Sequence, residues 1–151
     1  MTIMFTVPGV PVGKARARVT KSGHAYTPKK TRDYETLVGE AFIDALKTDP
    51  IKKHLDYPLF GKGIPVGMIL HIYMPVPKNT SKRDVDKYAK EQVYHVKKPD
   101  VTNIIKAIED AVNGLAYADD SQIAFLRVAK VYSATPRVVV AIKQAQIYDL
   151  A

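Results

Sequence analysis

The chain has 151 residues, 46% of them hydrophobic and 25% charged, which is the size and composition of one globular domain with a single core. No apolar run approaches the roughly 20 residues that cross a bilayer, and the first residues lack the basic leader of a secretory signal, so a cytoplasmic protein is expected. The absence of cysteine excludes disulfides and thiolate zinc sites, and the net charge of +8 favours a polyanionic partner.

In chain order, residues 3 to 7 read as a short strand stopped by Pro8-Gly9. A basic stretch follows in which Lys14, Arg16, Arg18, Lys21, Lys29, Lys30 and Arg32 precede the first acid, Asp33. Such a stretch is often only a solvated face, but its Gly, Ser, Thr and Pro content suits a loop that tracks phosphates. Gly9 to Lys14 is one residue short of a P-loop, and Ala15 stands where a metal-binding hydroxyl would be needed, so that reading is rejected. Tyr34, Leu37, Val38, Ala41, Phe42, Ala45 and Leu46 form one stripe of a helix starting near Thr31, its expected cap, and broken at Asp49-Pro50.

Residues 66 to 74 are almost continuously apolar, as in a strand buried on both faces. The Lys-rich stretch from 78 to 98, which ends in Lys97 and Lys98, reads as an irregular insertion or a short exposed helix. It contains a literal Asp-x-Asp, Asp84 and Asp86, but no apolar stripe to seat it, and a solvated segment is the better account. A helix is expected at about 101–113, and two strands at 122–132 and 137–146 look like a hairpin turning at Ala134-Thr135-Pro136. The sum is a single-domain α/β (α+β) fold, a mixed sheet with helices packed against it. His24, His54, His71 and His95 show no paired spacing for a metal.

The 101–113 helix carries the chemistry. Val101, Ile104, Ile105, Ile108, Val112 and Leu115 share its core side. Asp100, Asn103, Lys106 and Asp110 fall within about 120° of one another on the other side, in a row about 15 Å long. A bland account exists: Asp100 or Thr102 caps the helix, Lys106 and Asp110 pair, and Asn113-Gly114 ends it. Asp119-Asp120 weakens it, because the chain then enters a strand that can bring Asp120 back toward the Asp100 end. Two carboxylates about 4 Å apart repel by about 4 kcal/mol at an effective dielectric of about 20, so such a cluster asks for a cation. Mg²⁺, which prefers oxygen and takes one or two carboxylates beside water and phosphate, suits it, with Mn²⁺ as a substitute.

The pattern Lys98-Pro99-Asp100-x-x-Asn103-x-x-Lys106-x-x-x-Asp110, with Asn113-Gly114 and Asp119-Asp120-Ser121-Gln122, resembles the RusA family of Holliday junction resolvases, common in bacteriophages and prophages. Val7-Pro8-Gly9-x-Pro11 with Lys14, Arg16 and Arg18, and Tyr26-Thr27-Pro28, add to the likeness, which spans nearly the whole chain. The resemblance implies a magnesium-dependent endonuclease of the bacterial cytoplasm, acting as a homodimer on four-way or other branched DNA. It implies Asp100, Asp119 and Asp120 as metal ligands, Asp100, Asp120 and Lys106 as catalytic residues, and Thr102, Asn103 and Asp110 as their supports. Lys14, Arg16, Arg18, Lys21, Lys29, Lys30, Arg32, Lys97 and Lys98 would hold the DNA. One position departs: where the family usually has a second Asp, two residues after the first, this chain has Thr102. A nuclease for flaps, forks or other branched DNA is the alternative reading, and that neutral ligand also keeps open a catalytically weak DNA-binding protein.

Overall fold

The computed structural model describes residues 1–150. Its elements are β1 (Thr2–Pro8), β2 (Arg18–Val19), β3 (Ala25–Tyr26), α1 (Lys29–Thr48), β4 (Val66–Pro75), α2 (Lys82–Ala89), α3 (Val101–Val112), β5 (Ile123–Ser133) and β6 (Arg137–Gln144). Four strands form a mixed sheet in the order β1-β6-β4-β5, antiparallel except for the β4–β5 pair, while β2 and β3 make a small separate hairpin in the basic stretch. The fold is α+β, in one domain.

Strand alternation explains why one face of this sheet is the core. Ile3, Phe5 and Val7 of β1, Met68, Leu70, Ile72 and Met74 of β4, and Val138, Val140 and Ile142 of β6 all turn inward and are buried. They meet Tyr34, Val38, Phe42 and Leu46 of α1 and Ile104, Ile105, Ile108 and Val112 of α3, with Phe5 edge-on to Phe42 at 5.6 Å. Fully burying each such side chain stabilises by roughly 1.5–3 kcal/mol, so α3 is a rigid platform whatever its polar side carries. No helix among the described residues is long and apolar enough to cross a membrane.

Three expectations need correction. Strand β4 is not buried on both faces: His71 is exposed and Ile69 and Tyr73 are half-buried, because α1 and α3 both pack on the opposite side. The last two strands are not a hairpin, since β4 lies between them, Tyr73 facing Arg137 on one side and Val131 on the other. From Ser133 to Arg137 the four Cα steps reach up to about 14 Å. That is enough to step over one strand, two spacings of about 4.8 Å, so a short link did not imply pairing. Finally, α1 starts at Lys29 with Pro28 at its cap position, and Thr31 is a buried first-turn residue whose hydroxyl accepts a hydrogen bond from Ala15 N at 3.2 Å.

The parallel β4–β5 pair requires a crossover, and α3 is part of it. It therefore starts near the C-terminal end of β4, where Met74 and Asp100 line one cleft. The preceding α2 is a short helix with no buried residue, the exposed form of the two expected for that segment.

Candidate active site

Asp100 occupies the cap position of α3 with extended backbone angles (φ −67°, ψ 147°), yet its side chain makes no capping hydrogen bond. The carboxylate is exposed and left for other work. Two elements fix the backbone beneath it. On one side Lys130 of β5, only 7% exposed, sends its ammonium to the carbonyls of Lys97 at 2.7 Å and Pro99 at 2.6 Å. Burial pulls the Lys130 pKa down, and the charge of Asp100 opposes that shift. On the other side Gly13 passes so close that a Cβ there would stand 3.0 Å from the Pro99 Cβ and 3.2 Å from the Asn103 Cβ. Lys14 N donates to Asn103 O at 2.8 Å to complete the contact. The Gly13-Lys14 pair is thus an approach point for the N-terminal loop onto α3. Lys130 was missed by the sequence reading, although its inward position between Val128 and Tyr132 was a signal: a lysine where alternation demands an apolar side chain.

The lower half of the polar side holds a chain of alternating charges. Lys106 Nζ lies 3.0 Å from Asp110 Oδ1 and 3.4 Å from Asp120 Oδ2, while Lys14 Nζ lies 3.0 Å from Asp110 Oδ2 and 2.5 Å from Glu35 Oε1. The hydrogen bond that Lys106 donates to Asp110 leads the upward shift of the Lys106 pKa. Burial opposes the ionisation of Asp110, but its bonds from Lys106 and Lys14 prevail and hold the carboxyl below its usual range. Burial likewise lowers Lys14, and Glu35 and Asp110 more than offset it. Two lysines here face three carboxylates, which keeps Lys106 protonated beside Asp120.

A capped turn delivers Asp120. The Asp119 carboxylate accepts from Ser121 N at 3.1 Å and from the Ser121 hydroxyl, which holds its pKa below the ordinary value. The Gln122 side chain accepts from Asp119 N at 3.0 Å and donates to Gly61 O at 2.9 Å and Ile64 O at 3.0 Å. The adjacent Tyr117 hydroxyl donates to Glu109 O of α3 at 2.8 Å, locking the turn to the helix.

The structure therefore brings Lys106, Asp110 and Asp120 into direct contact and sets Asp100 at the start of the same helix. Asp120 reaches α3 through Lys106, from a turn anchored to the Phe60–Ile64 loop and to Glu109. No three His, Asp or Glu side chains among the described residues are grouped closely enough to hold a metal ion. Thr102 is exposed, four residues before Lys106 and so on the same strip of the helix. For a cation that takes one or two carboxylates and keeps its waters, the uncapped Asp100 and the half-exposed Asp120 offer suitable donors; Asp119 has one oxygen committed to its turn.

Among the expected DNA contacts, Lys14 lines the cleft but is half-buried and paired with two acids, so its charge is largely spent within the protein. Arg16, Arg18, Lys21, Lys29, Lys30, Arg32, Lys97 and Lys98 are exposed, Lys29 with a surface partner in Asp33 at 2.6 Å. Arg18, Lys30 and Lys98 line a cleft of about 620 Å³ together with Asp100 and Asn103. A carboxylate in a cleft that also carries Lys14, Arg18, Lys30 and Lys98 is an arrangement suited to a phosphodiester.

A family model described as Endodeoxyribonuclease RusA matches residues 8–143. The chain is also similar to the Uncharacterized protein YqaN of Bacillus subtilis (strain 168), 36% identical over 147 residues that cover 94% of this chain and 96% of the relative.

Proposed function

The chain belongs to the RusA endodeoxyribonuclease family, and on that premise we propose that it resolves four-way DNA junctions by metal-dependent hydrolysis of a phosphodiester, acting as a homodimer. Two sites related by a two-fold axis would match the symmetry of the junction. The observation that carries the reading is the pairing of Lys106 with Asp120 from a separate, rigidly capped turn, beside a cleft that joins Asp100 to Arg18, Lys30 and Lys98.

The roles follow from position. Arg18, Lys30 and Lys98 would receive the phosphates of the strand entering the cleft, releasing counterions and making binding salt-sensitive. Asp100 and Asp120 would hold Mg²⁺ or Mn²⁺, which when bound supplies Lewis-acid polarisation of the phosphoryl oxygen and a water of lowered pKa. Lys106, kept protonated by Asp110, would neutralise charge growing on the phosphate in the transition state. Asn103 would orient a phosphate or a ligand water from one turn below Asp100, and Lys130 and Gly13 would keep Asp100 in place.

The test is cleavage of a labelled four-way junction beside a linear duplex of the same sequence, with Mg²⁺, with Mn²⁺ and with EDTA. Paired, metal-dependent incisions near the crossover that vanish in Asp120→Asn, with junction binding retained, are expected; equal cutting of the duplex would overturn the junction reading. A second reading, binding without efficient cutting, is favoured by one observation, the lack of a third acid where Thr102 stands. Tight junction binding with no incision in either metal would establish it, and incision of flaps or forks in preference to junctions would establish a different branched substrate.

A further inference from the structure

A second cavity, of about 390 Å³, adjoins the cleft along the chain: its lining includes Tyr88, Tyr94, Tyr132 and Lys97, and that of the cleft continues from Lys98 to Asp100. Tyr132 and Tyr88 form its inner wall, their rings 4.6 Å apart and tilted by 32°. The outer wall is a segment laid along the edge of β5: Tyr132 N donates to Val93 O at 3.0 Å, His95 N to Lys130 O at 2.9 Å, and Tyr94 pairs antiparallel with Val131. His95 turns inward against Tyr132 at 4.8 Å, so alternation throws Tyr94 and Val96 outward, 71% and 86% exposed. Two apolar side chains are thus held in the open on a fixed backbone, four and six residues before Asp100, where an ordinary surface would carry polar ones.

The chemistry of the rim says what could cover them. Asp84, half-exposed and accepting from the Ser81 hydroxyl at 3.0 Å, lines the cavity together with Asn79 and Thr80. A carboxylate repels phosphate, so the cavity does not suit backbone; it can accept from the amino group of a base while tyrosine faces stack on the ring. The lysines sit where backbone would pass, Lys97 on this cavity and Lys98 on the cleft. We propose that this cavity receives one unstacked nucleobase of the DNA whose backbone lies in the Asp100 cleft, with Tyr94 as the stacking platform. The inference rests on the nuclease reading above, and a branch point supplies such a base because bases there have already lost part of their stack.

The experiment is equilibrium binding in EDTA, where no strand is cut, using wild type, Tyr94→Phe and Tyr94→Ala. The ligands are an intact four-way junction, the same junction with an abasic residue at each crossover position in turn, and a short single strand. Tyr94→Ala should weaken junction binding about tenfold and Tyr94→Phe should not, since stacking needs the ring and not the hydroxyl. Wild type should lose about the same factor at one abasic position at which Tyr94→Ala loses nothing more, the mark of one shared contact. Losses that add in full at every position, or a Tyr94→Ala protein that binds junction and single strand like wild type, would overturn the base site while leaving the junction reading intact. Weak junction binding with single-strand binding that still depends on Tyr94 would do the reverse.

Discussion

Helices α2 and α3 both carry aspartates and lysines spaced to meet, and they differ in what lies behind them. On α2 the Asp-x-Asp of Asp84 and Asp86 sits on a helix with no buried residue, and Asp86 meets Lys90 in an exposed pair at 3.0 Å. On α3 the acids stand on a helix with five buried residues, opposed by a capped turn and underpinned by Lys130. The same residue types become a candidate site only where packing fixes them, because a catalytic constellation must be held within about half an ångström. Substitutions on the two helices should therefore diverge, and the comparison can be broken at four points.

The largest effect is expected at Lys106. Removing one preorganised charge from a developing transition state costs about 10²–10³ in rate, so Lys106→Ala should slow single-turnover junction cleavage by that factor while changing junction affinity about twofold at most. Rate and affinity falling together would mean that Lys106 is one more phosphate contact, no different in kind from the lysines of α2.

Next is Lys14, where the structure and the charge pattern of the sequence disagree. Lys14→Met would leave Glu35 and Asp110 facing one another without their shared cation, at a cost of about 1.5–3 kcal/mol, with junction affinity nearly unchanged. Urea unfolding and salt-titrated DNA binding check the two halves. The same network predicts a pH signature. The folded pKa of Asp110 lies below its ordinary value of 3.8, so its stabilisation is present above that value and is lost as pH falls through the lower, folded one. Comparing stability at pH 7 and pH 3, Asp110→Asn should lose less than wild type. An equal loss would mean that other carboxylates set the acid limb.

Lys130 makes a subtler difference, because it acts on Asp100 only through backbone. Lys130→Met removes the donor for two carbonyls and should loosen the loop, slowing cleavage about tenfold, with Lys130→Arg recovering part of the rate if either carbonyl is reached. A stability loss with an unchanged rate constant would reduce Lys130 to a structural role.

These three positions also mark how far the sequence could be read. The apolar stripe of α3 and the alternation of β1 are short-range periodicities and were legible, as was the polar row from Asp100 to Asp110. The sheet order was not: a four-step link fits a hairpin or a strand-skipping connection equally well, and only the tertiary placement of β4 decides. Lys14 looked like the first cation of a phosphate-binding run, and its acid partners lie far along the chain, on α1 and α3. Asp119-Asp120 shows that a turn exists but not that Gln122 ties it to Gly61 and Ile64, the anchors that fix the turn carrying Asp120.

The smallest effect closes the comparison, at Asp86. Its pair with Lys90 has side chains 70% and 63% exposed, and such pairs are screened by water and are worth about 0–1 kcal/mol. Asp86→Asn should therefore change stability by no more than about 0.5 kcal/mol and leave metal-dependent cleavage within about twofold of wild type. Asp84 is the wrong choice for this control, since it faces the tyrosine-lined cavity. A large loss of cleavage in Asp86→Asn would move the catalytic carboxylates to α2, and the packing behind α3 would then no longer distinguish a site from a solvated face.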